Sequence, residues 1–426
     1  MESQTLKQRK KPAGEETRDL GSTEDHPGGH IKHSGGVQLL RLLGAALFFI
    51  STCCTIVVTQ FVGVPLYCIN RNWYYAYMAL TKQSFGVAVT FFTHRWAPSV
   101  IKISGDASVE GQLRKTPDGR FECNFPERLI MVANHQIYSD WLYLWWVAYT
   151  NQPSMHGHIY ILLKESLKRI PIIGWGMQFY GFIFMARKME TDRPRMAHRL
   201  KVLKEVHSGP MSGTKGLDPM WLLLFPEGTN ISRNTLRRSK EFAEKQRLKN
   251  TEHTVLPRGT GMYFCLTELD GTVDYVYDCT VAYEGVQRGE FGEEVYTLQS
   301  IYLQGRPPPS ISMYWRCFAV KDIPIKSQPE FEDWLRDRWH EKDKLMEQYL
   351  VTGSFPGFPP AIQNNETNGV RKEAFVESKP RLAFWWEVGY IYLPLATYAL
   401  LLNLVWKFWL MAAHVRKVTD LGGSTQ

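Results

Sequence analysis

Arg128-Leu129-Ile130-Met131-Val132-Ala133 runs directly into Asn134-His135-Gln136-Ile137-Tyr138-Ser139-Asp140, and from there into the bulky stretch Trp141–Tyr149. A short apolar run that gives way to polar residues reads as a strand that stops. Ser139 or Asp140 then opens the next helix as its cap. The pattern recurs downstream, where Trp221–Leu224 runs into Phe225-Pro226-Glu227-Gly228-Thr229, and Ile159–Leu163 and Gly181–Met185 are further short apolar runs. Arg195–Val206 reads as a helix and the Gly- and Pro-rich stretch Ser208–Pro219 as a loop. Val273–Tyr283 reads as a strand, and Phe331–Leu350 as a charged helix with Trp334, Leu335, Trp339, Leu345 and Leu350 partly on one face. This alternation predicts an α/β domain over 120–350, with a mixed, largely parallel sheet flanked by helices.

A strand ending at Ala133 delivers Asn134 and His135 to the carboxyl edge of the sheet, where α/β proteins place ligands. On one continuous helix, His135 and Asp140 would point about 140° apart. A loop between them lets the carboxylate fold back onto the imidazole, fix its tautomer and leave the other nitrogen free to take a proton. That is the base half of a catalytic triad with no protein nucleophile, a part the substrate's own hydroxyl can play. Among twelve His, one chance His–Asp pair is unremarkable, and an ordinary polar contact is the plain alternative. In the second motif, Gly228 permits close backbone approach, and Thr229 with nearby amides suits an anionic or polyol head group. Glu227 is placed to orient a glycerol hydroxyl or a cationic side chain, unless the motif is a simple turn with a surface Glu. Arg233, Arg237, Arg238, Lys240, Lys245, Arg247 and Lys249 follow. They read either as a solvated helix face or as contacts for CoA phosphates or an anionic membrane.

The flanks of the domain are apolar. No charged side chain occurs from Leu42 to Asn70, which is longer than the roughly 20 residues a helix needs to cross a bilayer. A tilted span, a span ending near Pro65 and a re-entrant helical hairpin all fit. Trp73, Tyr74, Tyr75 and Tyr77 resemble an interfacial aromatic belt. Residues 84–101, apolar but interrupted by His94 and Arg95, read as an amphipathic surface helix. Together 37–101 form a membrane-embedded or interfacial region. Val388–Trp406 is uncharged and flanked by Trp385, Trp386, Lys407 and Trp409, so 382–413 reads as a C-terminal membrane helix, with a buried core helix as the alternative. Residues 1–36 read as a disordered tail and 352–380 as a linker.

Of 426 residues, 13% are aromatic, and the formal charge of +8 suits an anionic partner. Nucleic acid is not expected, because no zinc-type spacing or RNP-type aromatic signature accompanies the charge. Seven Cys without regular spacing give no disulfide framework, which points to a reducing compartment. Neither a metal nor a resident cofactor is expected. A lipid hydrolase needs its own Ser or Cys nucleophile, and no G-x-S-x-G elbow is present. A thioesterase or a non-catalytic lipid tether is a further alternative.

Four blocks stand in order: Asn134-His135 with Asp140; Gly181-Phe182-Ile183-Phe184-Met185-Ala186-Arg187; Phe225-Pro226-Glu227-Gly228-Thr229; and Val255-Leu256-Pro257-Arg258-Gly259-Thr260-Gly261. With Lys164–Trp175 between the first two, the chain over about 120–290 resembles the glycerolipid acyltransferases related to 1-acyl-glycerol-3-phosphate acyltransferase. Lys164–Trp175, Ala243-Glu244-Lys245 and Thr280-Val281-Ala282-Tyr283 look most like the lysocardiolipin and lysophosphatidylinositol acyltransferase branch. The resemblance implies transfer of an acyl chain from acyl-CoA, as co-substrate, to a lysophospholipid hydroxyl at a bilayer. It implies His135 and Asp140 as catalytic residues, with Arg187, Glu227, Gly228, Thr229 and Arg258 binding substrate. An endoplasmic reticulum membrane is the expected location, ahead of a mitochondrial one. Asn230 stands where many members carry Arg, which shifts phosphate binding toward Arg187 or Arg258.

Overall fold

Eight strands form the central sheet of the computed structural model, which describes residues 26–213, 215–357 and 375–422. They are β1 (Val100–Gly105), β4 (Arg128–Ala133), β5 (Ile159–Lys164), β6 (Ile183–Met185), β7 (Met220–Leu224), β8 (Tyr275–Tyr283), β9 (Ser310–Ala319) and β10 (Val376–Ser378). Two short strands, β2 (Leu113–Lys115) and β3 (Phe121–Cys123), make a separate hairpin. The sheet order is β10-β1-β9-β8-β4-β7-β5-β6, antiparallel only at β10–β1 and β8–β9. The expected mixed, largely parallel sheet is therefore present.

The strands of the parallel half are apolar on both faces because helices cover both. Leu129, Met131 and Ala133 point to one side, Ile130 and Val132 to the other. The first side packs under α1 (Gly35–Gly63), α3 (Arg71–Trp96) and α4 (Asp140–Thr150). On the second side lie α6 (Met189–Leu203), α8 (Gly259–Glu268) and α10 (Gln328–Thr352), through Met196, Leu200, Met262, Phe331, Leu335 and Trp339. The other helices are α2 (Leu66–Ile69), α5 (Ile173–Phe179), α7 (Arg233–Gln246), α9 (Gly292–Val295), α11 (Glu387–Tyr390) and α12 (Leu393–Gly422).

Within Leu42–Asn70 the chain is one long helix, α1, followed by the short α2, and it turns back only with α3. Helix α1 stops at Gly63 just ahead of Pro65, and the Asn70 side chain accepts from the amides of Asn72 and Trp73 to start α3. The two helices run back along each other: Arg41 donates to the Trp96 carbonyl, and the Tyr77 hydroxyl to that of Thr59. Residues 84–101 are thus not a separate surface helix. They are the end of α3 and the start of β1, with Gly86–Thr90 buried and Phe85 packed on Trp141, Trp145 and Tyr180. His94 and Arg95 fall in the last turn, where cations suit a helix carboxyl end.

Other boundaries move as well. From His26 onward the supposed tail is docked: the buried His26 contacts the Val295 carbonyl through Nε2 at 2.9 Å, and the Lys32 amide donates to Gln304. Residues 1–25 lie outside the described residues. The 352–380 linker contains β10, which pairs with β1, so the sheet extends beyond 120–350 at both ends; residues 358–374 lie outside the described part. Strand β9, the longest, and helix α8 have no counterpart in the sequence pattern, whereas α7 is the helix over which the basic run from Arg233 spreads. The C-terminal apolar segment is not a core helix, since no residue of Leu393–Ala412 is buried. Both it and Gly35–Ile69 are long and apolar enough to cross a bilayer.

Candidate active site

Strands β4, β6 and β7 run parallel and end on the same edge of the sheet. Their carboxyl ends deliver His135, Arg187 and Glu227–Thr229 respectively. His135 Nδ1 lies 2.8 Å from Asp140 Oδ2. The same oxygen accepts from the backbone amides of Gln136, at 2.6 Å, and Ile137, at 3.1 Å, while the Tyr283 hydroxyl donates to Oδ1. Asp140 is fully buried. Four donors replace the water it gives up, which is what allows a charge to sit there.

Burial works against a protonated His135, but the bond to Asp140 and the charge of Asp140 outweigh it and hold the imidazole above its usual pKa. Phe225 stacks on the ring at 4.5 Å. Nε2 has no protein partner among the described residues, and His135 lines a cavity of about 740 Å³. Asn134 ties the loop to β8 by donating to the Val281 carbonyl at 3.0 Å and accepting its amide at 2.8 Å.

The second loop is built differently. The positive φ of Gly228 (71°) turns the chain so that Gly228 and Thr229 line the cavity while Glu227 points inward. Glu227, 1% exposed, accepts from the His135 amide at 3.2 Å and from the Trp339 indole, also at 3.2 Å. Burial pushes its carboxyl up to about 8. Arg187, held in the left-handed region (φ 65°), donates to the Gly228 carbonyl at 2.7 Å. Arg258 is exposed at the rim, and its amide donates to Pro226 at 2.8 Å. Beside it the amino end of α8 opens onto the cavity through Thr260 and Gly261, an arrangement that favours anions.

Away from this cationic rim the cavity turns apolar. Ile56, Val57, Trp141, Trp145, Met177 and Tyr180, from α1, α4 and α5 and the residue after α5, line it. The helical hairpin is therefore one wall of the site.

The family model described as Acyltransferase matches residues 117–284, and that described as Acyltransferase C-terminus matches 302–384. The 2-acyl-1-lysophosphatidylinositol acyltransferase of Saccharomyces cerevisiae is 34% identical, over 81% of this chain and 92% of its own length. The chain belongs to the glycerolipid acyltransferase family. An uncharacterized acyltransferase of Schizosaccharomyces pombe is 36% identical over 71% of this chain and 83% of its own. Lysocardiolipin acyltransferase 1 of Gallus gallus is 32% identical over 53% and 55%.

Five of the seven residues singled out for this acyltransferase site, His135, Arg187, Gly228, Thr229 and Arg258, line one cavity, and Asp140 stands directly behind the first. Glu227 does not reach it, a correction to its reading as a substrate ligand: both its oxygens serve the protein. Asn230 also lines the cavity and donates to Glu293. Sequence reasoning missed Tyr283 and Trp339 because each comes from a distant strand or helix with no fixed spacing to the motifs. It also missed Asp343, which accepts from the amides of Glu252, His253 and Thr254 and pins the loop ahead of Arg258 to α10. Among the described residues no cluster of His, Cys, Asp and Glu could hold a metal.

Proposed function

We propose that this chain is a membrane-bound, acyl-CoA-dependent lysophospholipid O-acyltransferase. The observation that supports this best is the Asp140-backed His135 at the mouth of an apolar cavity with cationic side chains at its rim. His135 Nε2 takes the proton from a lysophospholipid hydroxyl. The oxygen attacks the thioester carbonyl, the new ester forms as the carbon–sulfur bond breaks, and CoA leaves as thiolate to be protonated by the imidazolium. General-base assistance of this kind contributes roughly 10²–10⁴ in rate, and positioning of the two substrates adds to it.

The acyl chain occupies the apolar part of the cavity, between the hairpin and α4. Arg187, Arg258 and the amino end of α8 hold phosphate, and Gly228 and Thr229 crowd the head group. Glu227 positions His135 through its backbone. No covalent acyl-enzyme, metal or resident cofactor is part of this mechanism. The named activities of the relatives favour lysophosphatidylinositol or lysocardiolipin as acceptor, with lysophosphatidic acid a third; an endoplasmic reticulum membrane is the setting proposed with this reading. Two helices long and apolar enough to cross a bilayer support the membrane-bound reading.

The test is a radiolabelled acyl-CoA assay on purified membranes against a panel of lysophospholipids, with His135→Ala as control. Labelled phospholipid should form with wild type and be lost in the variant while the protein stays in the carbonate-washed membrane. Equal product from both would reject the mechanism. Acyl-CoA consumption without any lysolipid would indicate a thioesterase.

A further inference from the structure

At the far end of α4, between the β2–β3 hairpin and the segment leading into α12, lies a second cavity of about 660 Å³. It shares no lining residue with the first. Lys379, Arg381 and Arg120 give it a cationic rim. Leu80 of α3, 61% exposed, and Tyr390 and Pro394, beside the start of α12, give it an apolar lip.

Most charges nearby are already engaged. Glu387 accepts from the Tyr149 hydroxyl at 2.8 Å and the Phe384 amide at 2.7 Å, Glu122 pairs with Arg114, and Asp118 pairs with Arg120. Lys379 and Arg381 have no carboxylate partner among the described residues; Arg381 reaches only the Asp118 carbonyl, at 3.4 Å. The ring of His156 also lines the cavity. It is 3% exposed, yet neither nitrogen has a hydrogen-bond partner. An orphaned buried imidazole is costly unless something completes it.

Burial and the neighbouring His158 push His156 down to about 3, so the floor of the cleft adds no charge to its cationic rim. Lys379-Pro380-Arg381 also stands just ahead of Phe384-Trp385-Trp386 and an apolar helix that touches the hairpin through Tyr398 on Tyr77 but buries none of Leu393–Ala412. Cations, then aromatic rings, then a span-length apolar helix is the order found at a bilayer surface.

We propose that this cleft holds one anionic phospholipid of the bilayer, its phosphate between Lys379 and Arg381 and its acyl chains along α3 and α12. The occupant is a resident lipid that joins the C-terminal helix to the hairpin, distinct from the acceptor. The inference does not depend on the acyl-transfer reading.

The test uses the full chain purified in non-ionic detergent and titrated with phosphatidylglycerol, phosphatidylcholine or inorganic phosphate, with bound lipid read by native mass spectrometry. One phosphatidylglycerol per chain should be retained in preference to phosphatidylcholine. Lys379→Ala and Arg381→Ala should each weaken retention roughly fivefold, the size expected for one basic residue at an anionic surface. The charge-keeping pair Lys379→Arg with Arg381→Lys should restore it, and neither His135→Ala nor saturating acyl-CoA should change it. Equal retention of the two lipids, unchanged retention in the Ala variants, or displacement by acyl-CoA would each overturn the proposal. Displacement by millimolar phosphate would reduce the cleft to a free-anion site and overturn it too. Lys379 and Arg381 are exposed, so these variants keep the fold, and the two-lipid comparison on wild type stands without them.

Discussion

The loops that leave β4 and β7 each set one buried carboxylate beside His135, and the two are treated in opposite ways. Asp140 receives the imidazole, two amides and a phenol. Glu227 receives one amide and one indole, both at 3.2 Å, and its carboxyl is pushed up to about 8. The first loop therefore carries a fixed negative charge that supports an imidazolium. The second carries a nearly neutral brace that shapes the backbone on which His135 sits. Two acidic residues in two motifs of one site need not share a role; the number and quality of donors around each decides.

The largest effect should come from Asp140→Asn, which keeps the shape but removes the charge and upsets the tautomer. CoA release should fall by about 10³–10⁴. Because Asp140 holds the His135 pKa above its ordinary value, wild-type kcat/KM should rise with pH as the imidazolium deprotonates. In the variant, the inflection of any residual rate should move to lower pH. An unmoved inflection would mean that Asp140 does not govern the imidazole.

Arg187→Ala strikes the second loop from outside, removing both a rim cation and the bond to the Gly228 carbonyl. A charged hydrogen bond is worth about 1.5–3 kcal/mol, so KM for the substrate it holds should rise ten- to a hundredfold, with kcat changing far less. A loss confined to kcat would assign Arg187 to the chemistry instead.

Glu227→Gln sharpens the contrast. If the carboxyl is a brace, the rate should fall no more than about tenfold, the value of one imperfect buried hydrogen bond. A loss as deep as that of Asp140→Asn would make it a reacting acid. Stability supplies a second readout. A carboxyl raised from 4.5 to about 8 keeps its proton in the folded state while the unfolded chain has lost it. Its contribution is then complete below pH 4.5 and disappears as pH climbs through 8. Thermal melting in detergent should show that decline for wild type and a flatter profile for Glu227→Gln. The smallest change, a few-fold in rate, should come from Trp339→Phe, which keeps the packing but takes one donor from Glu227.

Much of this contrast could be read from sequence only in part. The strands ending at Ala133 and Leu224 announced themselves as apolar runs that stop at polar residues, and the return of Asp140 to His135 followed from a loop between them. The inward turn of Glu227 could not be read, because its partner Trp339 lies on α10 and sequence spacing carries no record of that contact. Likewise Lys342 neutralises the buried Asp278 from the same helix, at 2.6 Å, though Lys342 itself stands near no motif. The segment 84–101 misled for a different reason. Its two charges suggested a water-facing side, yet they occupy a single turn at the end of a helix otherwise sunk between α1 and α4.

Strand β10 is only three residues long, but its pairing of Ile101 with Ser378 and Ile103 with Val376 clasps the sheet's first strand to the segment ahead of α12. Both long apolar ends consequently depart from one border of the domain, although nearly the whole catalytic sequence lies between them. The sheet's first strand is thus completed by residues from the far side of the catalytic sequence.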